Sequence, residues 1–294
     1  MIVAIASGKG GTGKTTVSAS LAAVWSPPAV AVDLDVEEPN LHLFLKPGIT
    51  GQEPAYMDVP KVDETGCTYC RACSDICQFK AISVLGEVIL TFPEMCHGCG
   101  ACMAVCPENV IAYDRRTLGD ILWGRTDGTE FLMGRLRVGE AMSPPLMRQV
   151  KNRLRERLAE TGADAIIDAP PGVSCPAVNA VMDADVIVLV TEPTPFGCYD
   201  LALAHEAFKT IDKPMGVVIN RAGLGEDAIY AQCREAGLPI LAEIPYERAV
   251  AQAYAQGRII SETSDRFKGV FTDLAGKIKD LAVSNVPRKE AAHA

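Results

Sequence analysis

The sequence has no long hydrophobic run and no excess of positive charge, and each absence excludes a class of protein. No apolar segment approaches the ~20 residues of a membrane-spanning helix, so we expect no membrane partner. The formal net charge of −9 argues against a nucleic-acid partner, because such binding needs a basic surface. The apolar stretch Met1–Ala6 carries no basic leader, so we expect no signal peptide and a cytoplasmic location.

Cysteine, in contrast, is abundant, and eight of the eleven cysteines form a duplicated pattern. Both copies have the spacing CxxCxxCxxxC, and each cysteine of the second copy lies 29 residues after its counterpart. Four thiolates with this spacing can hold an iron–sulfur cube, so the two copies predict two cubes. Zinc and disulfides are the alternatives, but zinc ribbons usually pair two CxxC knuckles, and an unexported chain keeps its thiols reduced. The eight are Cys67, Cys70, Cys73, Cys77, Cys96, Cys99, Cys102 and Cys106.

Outside this block, short apolar strands alternate with helices of roughly ten to fifteen residues, which predicts an α/β fold with a mostly parallel, doubly wound sheet. The predicted strands are Ile2–Ala6, Ala29–Asp33, Ala165–Asp168, Val186–Val190, Gly216–Asn220 and Pro239–Ala242. The predicted helices are about Lys14–Trp25, Ser143–Glu160, Pro176–Met182, Tyr199–Thr210, Glu226–Ala236, Glu247–Gln256 and Asp265–Ala282.

The cysteine block interrupts this series after the second strand. We therefore expect a discontinuous main domain of residues 1–58 and 116–294, with an inserted small α+β domain of residues 59–115. The stretch from about Leu118 to Gly139 shows few periodic signals, so no element is predicted there. The apolar stripe of the last helix is interpreted as core packing, with a membrane-surface helix as the alternative.

A phosphate-binding loop follows the first strand. Its glycines also fit the dinucleotide fingerprint GxGxxG, but Lys14-Thr15 completes GxxxxGK[ST], which is specific where it follows a strand and opens a helix. Glycines let backbone N–H groups approach phosphates, and the helix N-terminus adds positive potential. Lys14 would reach the outer phosphates and Thr15 would bind Mg²⁺. The nucleotide-binding candidates in the loop are Gly8, Lys9, Gly10, Gly11, Thr12, Gly13, Lys14, Thr15 and Thr16.

The loop sequence KGGTGKTT has a second, early lysine, Lys9, and in this it resembles the deviant phosphate loop of the MinD/ParA/nitrogenase-iron-protein class of ATPases. The resemblance implies a P-loop NTPase sheet that binds ATP and Mg²⁺. It also implies that Lys9 crosses a dimer interface and stabilises charge at the partner's nucleotide, as an arginine finger does. We therefore expect an ATP-dependent homodimer, or a heterodimer with a related ATPase.

The same resemblance assigns roles to residues that follow apolar strands. The segment from Asp33 to Leu41 looks like the DxDxxxxNL segment of this class, which implies that Asp35 positions or activates the attacking water and that Asp33 supports the site. The sequence IIDAPPG resembles its switch II, which implies that Asp168 holds Mg²⁺ through water and that Gly172 senses the γ-phosphate. Asn220 matches the position where the class reads adenine.

The cysteine runs resemble the bacterial two-cluster ferredoxins, in which the fourth cysteine of each run ligates the other cluster. The resemblance implies two 4Fe-4S clusters with exchanged ligands. One would use Cys67, Cys70, Cys73 and Cys106, and the other Cys96, Cys99, Cys102 and Cys77. The first run departs from the pattern, because Gln78 stands where proline is usual.

Three cysteines lie outside the runs. Cys198 and Cys233 are interpreted as ordinary small residues. Cys175 lies seven residues after Asp168, where the nitrogenase iron protein has a cysteine that bridges a shared cluster, although the loop here has one extra residue. A bridging or partner-facing role and a structural thiol both stay open for Cys175.

The whole chain resembles MinD-superfamily ATPases that carry a ferredoxin insert and is related to the Mrp-type iron–sulfur carrier ATPases. Three hypotheses follow. ATP could gate electron flow to a redox partner, or the protein could mature or transfer a metal cofactor for a partner protein. The alternative is spatial organisation or cell-division regulation of the MinD kind, with a redox-sensing insert.

Overall fold

The computed structural model describes residues 1–225 and 227–284. The strands are β1 Ile2–Ala6, β2 Val30–Asp33, β3 Gly48–Val62, β4 Ile82–Leu85, β5 Val88–Thr91, β6 Ile111–Thr126, β7 Thr129–Leu136, β8 Ala165–Asp168, β9 Val186–Thr191, β10 Met215–Ala222 and β11 Ile240–Pro245. The helices are α1 Lys14–Val24, α2 Leu41–Leu45, α3 Ala72–Ile76, α4 Ala101–Ala104, α5 Ser143–Thr161, α6 Cys175–Val181, α7 Pro195–Phe208, α8 Ala228–Glu235, α9 Arg248–Ala255 and α10 Asp265–Ser284.

A nine-stranded sheet with the order β11-β10-β9-β1-β8-β2-β7-β6-β3 forms the framework. The strands from β11 to β7 run parallel to their neighbours, and β6 and β3 are added antiparallel at one edge. The prediction of a mostly parallel sheet is therefore confirmed. In such a sheet the carboxyl ends of the strands meet at one edge, which gathers the residues that follow β1, β2, β8, β9 and β10.

Each face of the sheet carries its own apolar core. Along β1, Val3 and Ile5 point to one face and Ala4 and Ala6 to the other, as the two-residue period of a strand requires. The first face is covered by α1 and α10, and the opposite face by α5, α6 and α7. Helices on both faces bury the strands completely, which explains their continuous apolar sequences.

The stretch from Leu118 to Gly139, for which no element was predicted, contains most of β6 and all of β7. These strands show no clear side-chain periodicity, because glycines interrupt it. A Cβ at Gly119 would overlap the backbone of Arg135, and one at Gly124 would overlap that of Gly48, so the neighbouring strands approach too closely for any side chain. The long strand β3 and the short helix α2 were also not predicted.

The predicted strands and helices outside the cysteine block are found, with shifted ends. The helix expected from Tyr199 begins at Pro195, where the Thr194 hydroxyl accepts a hydrogen bond from the Gly197 amide as an N-cap. The helix expected from Glu226 begins at Ala228, and Glu226 itself lies outside the described residues.

The cysteine block forms a small unit at the far ends of β3 and β6, and its duplication is visible in the backbone. Left-handed residues recur 29 positions apart, as Tyr69 with Gly98, Arg71 with Gly100, and Lys80 with Asn109. The pairing of β4 with β5 repeats the pairing at the tips of β3 and β6, because Ile82 pairs with Thr91 as Val62 pairs with Ile111. The unit has an apolar core of its own. The expected boundaries at residues 59 and 115 fall inside β3 and β6, so both strands belong to the main sheet and the small unit.

The apolar stripe of α10 is buried against α1 and the sheet, which confirms the interpretation as core packing. Phe267, Phe271, Leu274 and Ile278 are all buried. None of the described helices combines the length and apolar character that crossing a membrane requires.

We predict that Phe271→Ala destabilises the protein by about 3–5 kcal/mol, because the ring is fully buried and its loss leaves a cavity. Phe196→Ala is the matched control, since 75% of the Phe196 surface is exposed. Urea unfolding followed by circular dichroism measures both. Equal, small losses for the two variants would show that α10 does not pack as described.

Candidate functional site

The loop between β1 and α1 is a cradle of backbone N–H groups at the carboxyl edge of the sheet. Gly11 and Gly13 have φ values of 78° and 98°, which are left-handed and favour glycine. Gly13 is the N-cap of α1, so the positive end of the helix dipole faces the cradle. A Cβ at Gly13 would overlap the side-chain amide of Asn220. The loop therefore has the form that the sequence predicts for phosphate binding.

Lys14 is buried in this cradle, with 7% of its surface exposed. Burial lowers the pKa of its ammonium group, while the nearby carboxylates of Asp168 and Asp35 oppose that change. Without a nucleotide, the positive charge of Lys14 thus compensates the negative charges of Asp168 and Asp35. Incoming phosphates would compete for the same ammonium.

Asp168 ends β8 and lies beside the first turn of α1. Its Oδ1 accepts a hydrogen bond of 2.9 Å from the Ser18 hydroxyl, and the Thr15 hydroxyl also bonds to it. Burial raises the pKa of Asp168, and the bonds from Thr15, together with the charge of Lys14, partly offset that change. A hydroxyl and a carboxylate in contact are the oxygen donors that Mg²⁺ prefers, so the residues present fit a magnesium ion.

Two further carboxylates follow β2 and have different tasks. Asp33 is fully buried and accepts hydrogen bonds from the amides of Leu41 and Asp35, at 2.9 and 3.1 Å, so it fixes the loop after β2. Asp35 lines the cavity beside Lys14. Burial and the charge of Asp168 raise the pKa of Asp35 to about 6, which Lys14 partly opposes. A carboxyl group with that pKa can accept a proton near neutral pH.

The cradle opens into a cavity of about 660 Å³, a size typical of small-molecule sites. Its lining combines residues of the phosphate loop with apolar and aromatic side chains. The cavity can therefore hold both phosphates and a flat ring. The apolar and aromatic residues include Tyr246, Val250, Tyr254 and Ile260.

Asn220 borders this cavity, but its side-chain amide is bonded within the chain. Its Nδ2 donates to the Thr12 carbonyl at 2.8 Å, and its Oδ1 accepts from the Arg221 amide at 2.9 Å. Asn220 thus fastens the end of β10 to the phosphate loop. Adenine reading by Asn220 stays a prediction, and it requires at least one of these bonds to be exchanged for the base.

Lys9 does not line the cavity, and its Nζ binds the buried carboxylate of Glu192 at 2.7 Å, with Asp200 at 3.8 Å. Glu192 also binds Arg221 at 2.6 Å. Burial would raise the pKa of Glu192, but the bonds and charges of Lys9 and Arg221 hold it below its ordinary value. In this structure, then, Lys9 is not a ligand of its own chain's cavity.

Glu192 and Arg221 were not among the predicted site residues. Glu192 directly follows the apolar strand β9, and Asp33 and Asp168 likewise lie at the ends of apolar strands. Arg221 follows Asn220 near the end of β10. A search for charged residues at the end of every parallel strand would have found Glu192, whereas its partners depend on the fold.

Gly172 lies in the loop between β8 and α6, with a φ value of 88°. Its N–H donates to the Ser7 carbonyl at 3.0 Å. To donate to a γ-phosphate instead, this amide must leave Ser7, which would move the loop and the start of α6.

The first cysteine set is brought together around one small cavity, which Cys67, Cys70, Cys73 and Cys106 all line. The Tyr69 amide donates to the Cys67 sulfur at 3.4 Å, as a loop that stabilises a thiolate should. Burial raises the pKa of the Cys73 thiol. A metal would hold that sulfur as a thiolate, because ligation favours the deprotonated form.

The second run repeats this arrangement. The Gly98 amide donates to the Cys96 sulfur at 3.4 Å, and burial raises the pKa of Cys102, whose near neighbours include the thiols of Cys96 and Cys99. Cys77 packs against the same small core as Cys102. Among residues 1–225 and 227–284, no three acidic, histidine or cysteine groups already converge as tightly as the ligands of a single metal ion. Cys67, Cys70, Cys73 and Cys106 line one cavity, so the residues present fit a group that takes four thiolate ligands, as a cube does.

The three other cysteines differ in exposure. Cys233 is buried and Cys198 half-buried, as expected of ordinary small residues. Cys175 is exposed at the first residue of α6, just after the loop that contains Gly172. Its bridging role stays a prediction.

Comparisons with known proteins agree with this geometry. The model of a family described as CbiA, the CobQ/CobB/MinD/ParA nucleotide binding domain, matches residues 3–260. Two uncharacterized proteins of Methanocaldococcus jannaschii are similar over nearly the whole chain. One is 29% identical over 273 residues, which cover 90% of this chain and 93% of that protein. The other is 31% identical over 284 residues, which cover 96% of this chain and 97% of that protein.

A shorter similarity concerns one subunit of an ion-translocating oxidoreductase complex of Methanosarcina acetivorans. It is 41% identical over 54 residues, which are 18% of this chain and 20% of that protein.

Solved structures share the fold. The cell division ATPase MinD of Pyrococcus furiosus has a TM-score of 0.58 and 22% identity, and 95% of this chain and 98% of that one are covered. The septum site-determining protein MinD of Pyrococcus horikoshii, complexed with Mg-ADP, has a TM-score of 0.59 and 21% identity, with 96% of both chains covered.

We predict that Gly13→Ala weakens MgATP binding by about tenfold or more, since its Cβ would displace Asn220 and strain a left-handed position. Gly139→Ala is the matched control, because Gly139 is also left-handed but faces open space. Isothermal titration calorimetry measures both affinities. Unchanged binding by Gly13→Ala would show that this loop is not the phosphate cradle.

Proposed function

Since the chain belongs to the CobQ/CobB/MinD/ParA family of nucleotide-binding domains, we propose that it is an ATP-hydrolysing, dimeric switch protein that carries two 4Fe-4S clusters. One observation above all supports this combination. The phosphate cradle and the duplicated thiol unit are built on the same nine-stranded sheet, because β3 and β6 continue from the sheet into the unit. Nucleotide state and cluster environment can therefore affect each other within one molecule.

Each group at the carboxyl edge of the sheet has a role in nucleotide binding or hydrolysis. Lys14 and the loop amides bind the phosphates, and Thr15 with Asp168 binds Mg²⁺. Asp35 orients the attacking water and accepts its proton, for which a pKa of about 6 is suitable. Gly172 senses the γ-phosphate with its N–H after release from Ser7.

The ion pair of Lys9 with Glu192 supports a dimer. Because its ammonium is bound to Glu192, outside its own cavity, it is available to a second chain once that ion pair opens. Arg221 would keep Glu192 paired when Lys9 leaves, so the buried carboxylate would not be left without a cation. The partner chain is a second copy or a related ATPase.

The cluster half of the proposal places one 4Fe-4S cluster on Cys67, Cys70, Cys73 and Cys106, and the other on Cys96, Cys99, Cys102 and Cys77. The common cavity of the first set and the repeated N–H to sulfur bonds support it. The similarity to an oxidoreductase subunit supports it further. When bound, such clusters supply one-electron transfer. The amides of Tyr69 and Gly98 would stabilise the thiolates.

The switch would serve electron transfer to a redox partner or the handling of a metal cofactor for a partner protein, in the cytoplasm. Spatial organisation on a membrane is less well supported, because the apolar face of α10 is already buried by α1 and the sheet.

We predict that Lys9→Ala binds MgATP with unchanged affinity but loses turnover by about a thousandfold, the smaller end of the effect of an arginine finger. Release of phosphate measures the turnover. Glu192→Gln should instead favour the dimer, because it weakens the ion pair that holds Lys9. Light scattering with MgAMP-PNP, a non-hydrolysable ATP analogue, measures the dimer.

Glu206→Gln is the matched control for Glu192→Gln, since Glu206 forms an exposed ion pair with Lys209 on α7. It should leave turnover and dimer unchanged. Full turnover by Lys9→Ala would contradict a catalytic role for Lys9, and a weaker dimer in Glu192→Gln would contradict the role given to Glu192.

We predict that protein purified without oxygen holds roughly eight irons and eight sulfides per chain. Cys70→Ser and Cys99→Ser should each lose about half of them, since each removes one ligand of one cluster. Cys198→Ser is the control and should keep the full content. Iron and sulfide analysis measures all four proteins, and zinc in place of iron would contradict the cluster assignment.

A further inference from the structure

A continuous series of polar and packing contacts joins the loop after Asp168 to the second cysteine run. It starts at α6, which begins three residues after Gly172. Any movement that frees the Gly172 amide from Ser7 pulls on the first turn of this helix. The far end of α6 is held by a neighbouring helix.

That neighbour is α5, and its contact is a buried ammonium. Lys151 is 5% exposed, and its Nζ donates to the Asn179 carbonyl at 2.7 Å and binds Asp183 at 2.8 Å. The Asn179 carbonyl belongs to the last turn of α6, where backbone oxygens lack helical partners and attract a cation. Separating α5 from α6 would leave a buried charge unpaired, so the two helices move together.

The next contact joins α5 to β3. The side-chain amide of Gln149 donates to the Tyr56 carbonyl at 2.8 Å and accepts from the Tyr56 N–H at 3.3 Å. The pairing of β3 with β6 is irregular between Ala55 and Tyr56, and Gln149 takes up the backbone groups that this irregularity frees. A buried ion pair of 2.8 Å between Arg116 of β6 and Glu140 fastens the same level of the sheet to the start of α5.

The last contact joins β3 to the second cysteine run. Gly98 lies so close to Met57 that a Cβ on the glycine would be 3.0 Å from Met57 Cγ and 3.3 Å from the Asp58 carbonyl. Gly98 lies between Cys96 and Cys99, and its amide donates to the Cys96 sulfur. Cys96 also belongs to the large core of the main sheet, and Cys77, the fourth thiol assigned to the same cluster, packs against that core. The thiols assigned to the other cluster instead line the cavity of the small unit, and three of the four pack on the unit's own core.

From this series we infer that Lys151 is a positioning residue that transmits the nucleotide state of the Gly172 loop to the second cysteine run and not to the first. The inference rests on the proposed function, since it requires MgATP at the phosphate loop. It makes the two copies of the duplicated unit unequal. The cluster on Cys96, Cys99 and Cys102 responds to ATP, whereas its near-identical neighbour serves as a constant redox centre.

Hydrogen exchange followed by mass spectrometry tests the inference on the full chain, purified without oxygen. Exchange in residues 96–102 should change by about fivefold or more between MgADP and MgAMP-PNP, the lower range of allosteric coupling. Exchange in residues 67–73 should not change. The two segments are an internal comparison, because they are copies of one motif.

Lys151→Met should abolish the nucleotide response of residues 96–102 while the phosphate loop, residues 8–16, still responds. Arg148→Met is the matched control, since Arg148 is an exposed residue of the same helix. Gln149→Leu breaks the series at β3, away from the buried ammonium, and should give the same loss if Lys151→Met does not fold. Redox titration should show the same pattern, with a nucleotide-dependent shift in one cluster only.

The outcomes separate the inference from the proposed function. If MgAMP-PNP changes no exchange in residues 8–16, nucleotide binding at the loop fails, and the inference fails with it. If residues 8–16 respond but residues 96–102 do not, or if residues 67–73 and 96–102 respond equally, only the inference is overturned. A full response in Lys151→Met and Gln149→Leu would also overturn it.

Discussion

The carboxylate of Asp168 is the group on which the rest of the site depends. It is buried, it is bonded to the hydroxyls of Thr15 and Ser18, and it lies close to the ammonium of Lys14. Burial of a carboxylate is unfavourable unless cations and donors surround it, so the first turn of α1 and the end of β8 are held together by this group. A magnesium ion bound with phosphates would neutralise the charge of this buried carboxylate more fully. A nucleotide bound there would therefore act at the point where the loop that leads to α6 begins.

The sheet explains how a second chemistry can share the molecule. The parallel strands bring the nucleotide residues to one edge, and the antiparallel strands β3 and β6 extend beyond the main sheet and carry the duplicated unit. Because the two strands are continuous, the unit is not attached by a flexible linker. Its second cysteine run rests on Met57, and Gln149 bonds to the adjacent Tyr56. The main sheet and the small unit are thus joined by continuous strands, whereas an inserted domain is often joined by a hinge.

Motifs with fixed local spacing could be predicted from the sequence. The phosphate loop and the cysteine runs depend on neighbouring residues, and the apolar strands of the parallel sheet are recognisable because both of their faces are buried. Asp33 and Asp168 were found through the resemblance of their segments to a known class of ATPase, and both end strands of the parallel sheet. The strands β6 and β7 were missed because glycines such as Gly119 and Gly124 serve backbone packing and leave no side-chain period.

Contacts between distant parts of the chain could not be predicted in this way. Lys151 has the sequence context of a solvated helical lysine, and only the packing of α5 on α6 buries it. The pairing of Lys9 with Glu192 joins residues 183 positions apart. Asn220 was expected at the nucleotide and does border the cavity, but its bond to the Thr12 carbonyl could not be foreseen, because it depends on the spatial approach of β10 to the loop.

We propose that ATP changes the behaviour of redox centres in the same chain. Stopped-flow reduction of the iron-loaded protein by dithionite, with saturating MgATP or MgADP, tests it most directly. Biphasic reduction in which one of two phases changes rate with the nucleotide is the predicted result. Identical traces with both nucleotides, from protein that carries iron and hydrolyses ATP, would contradict the claim.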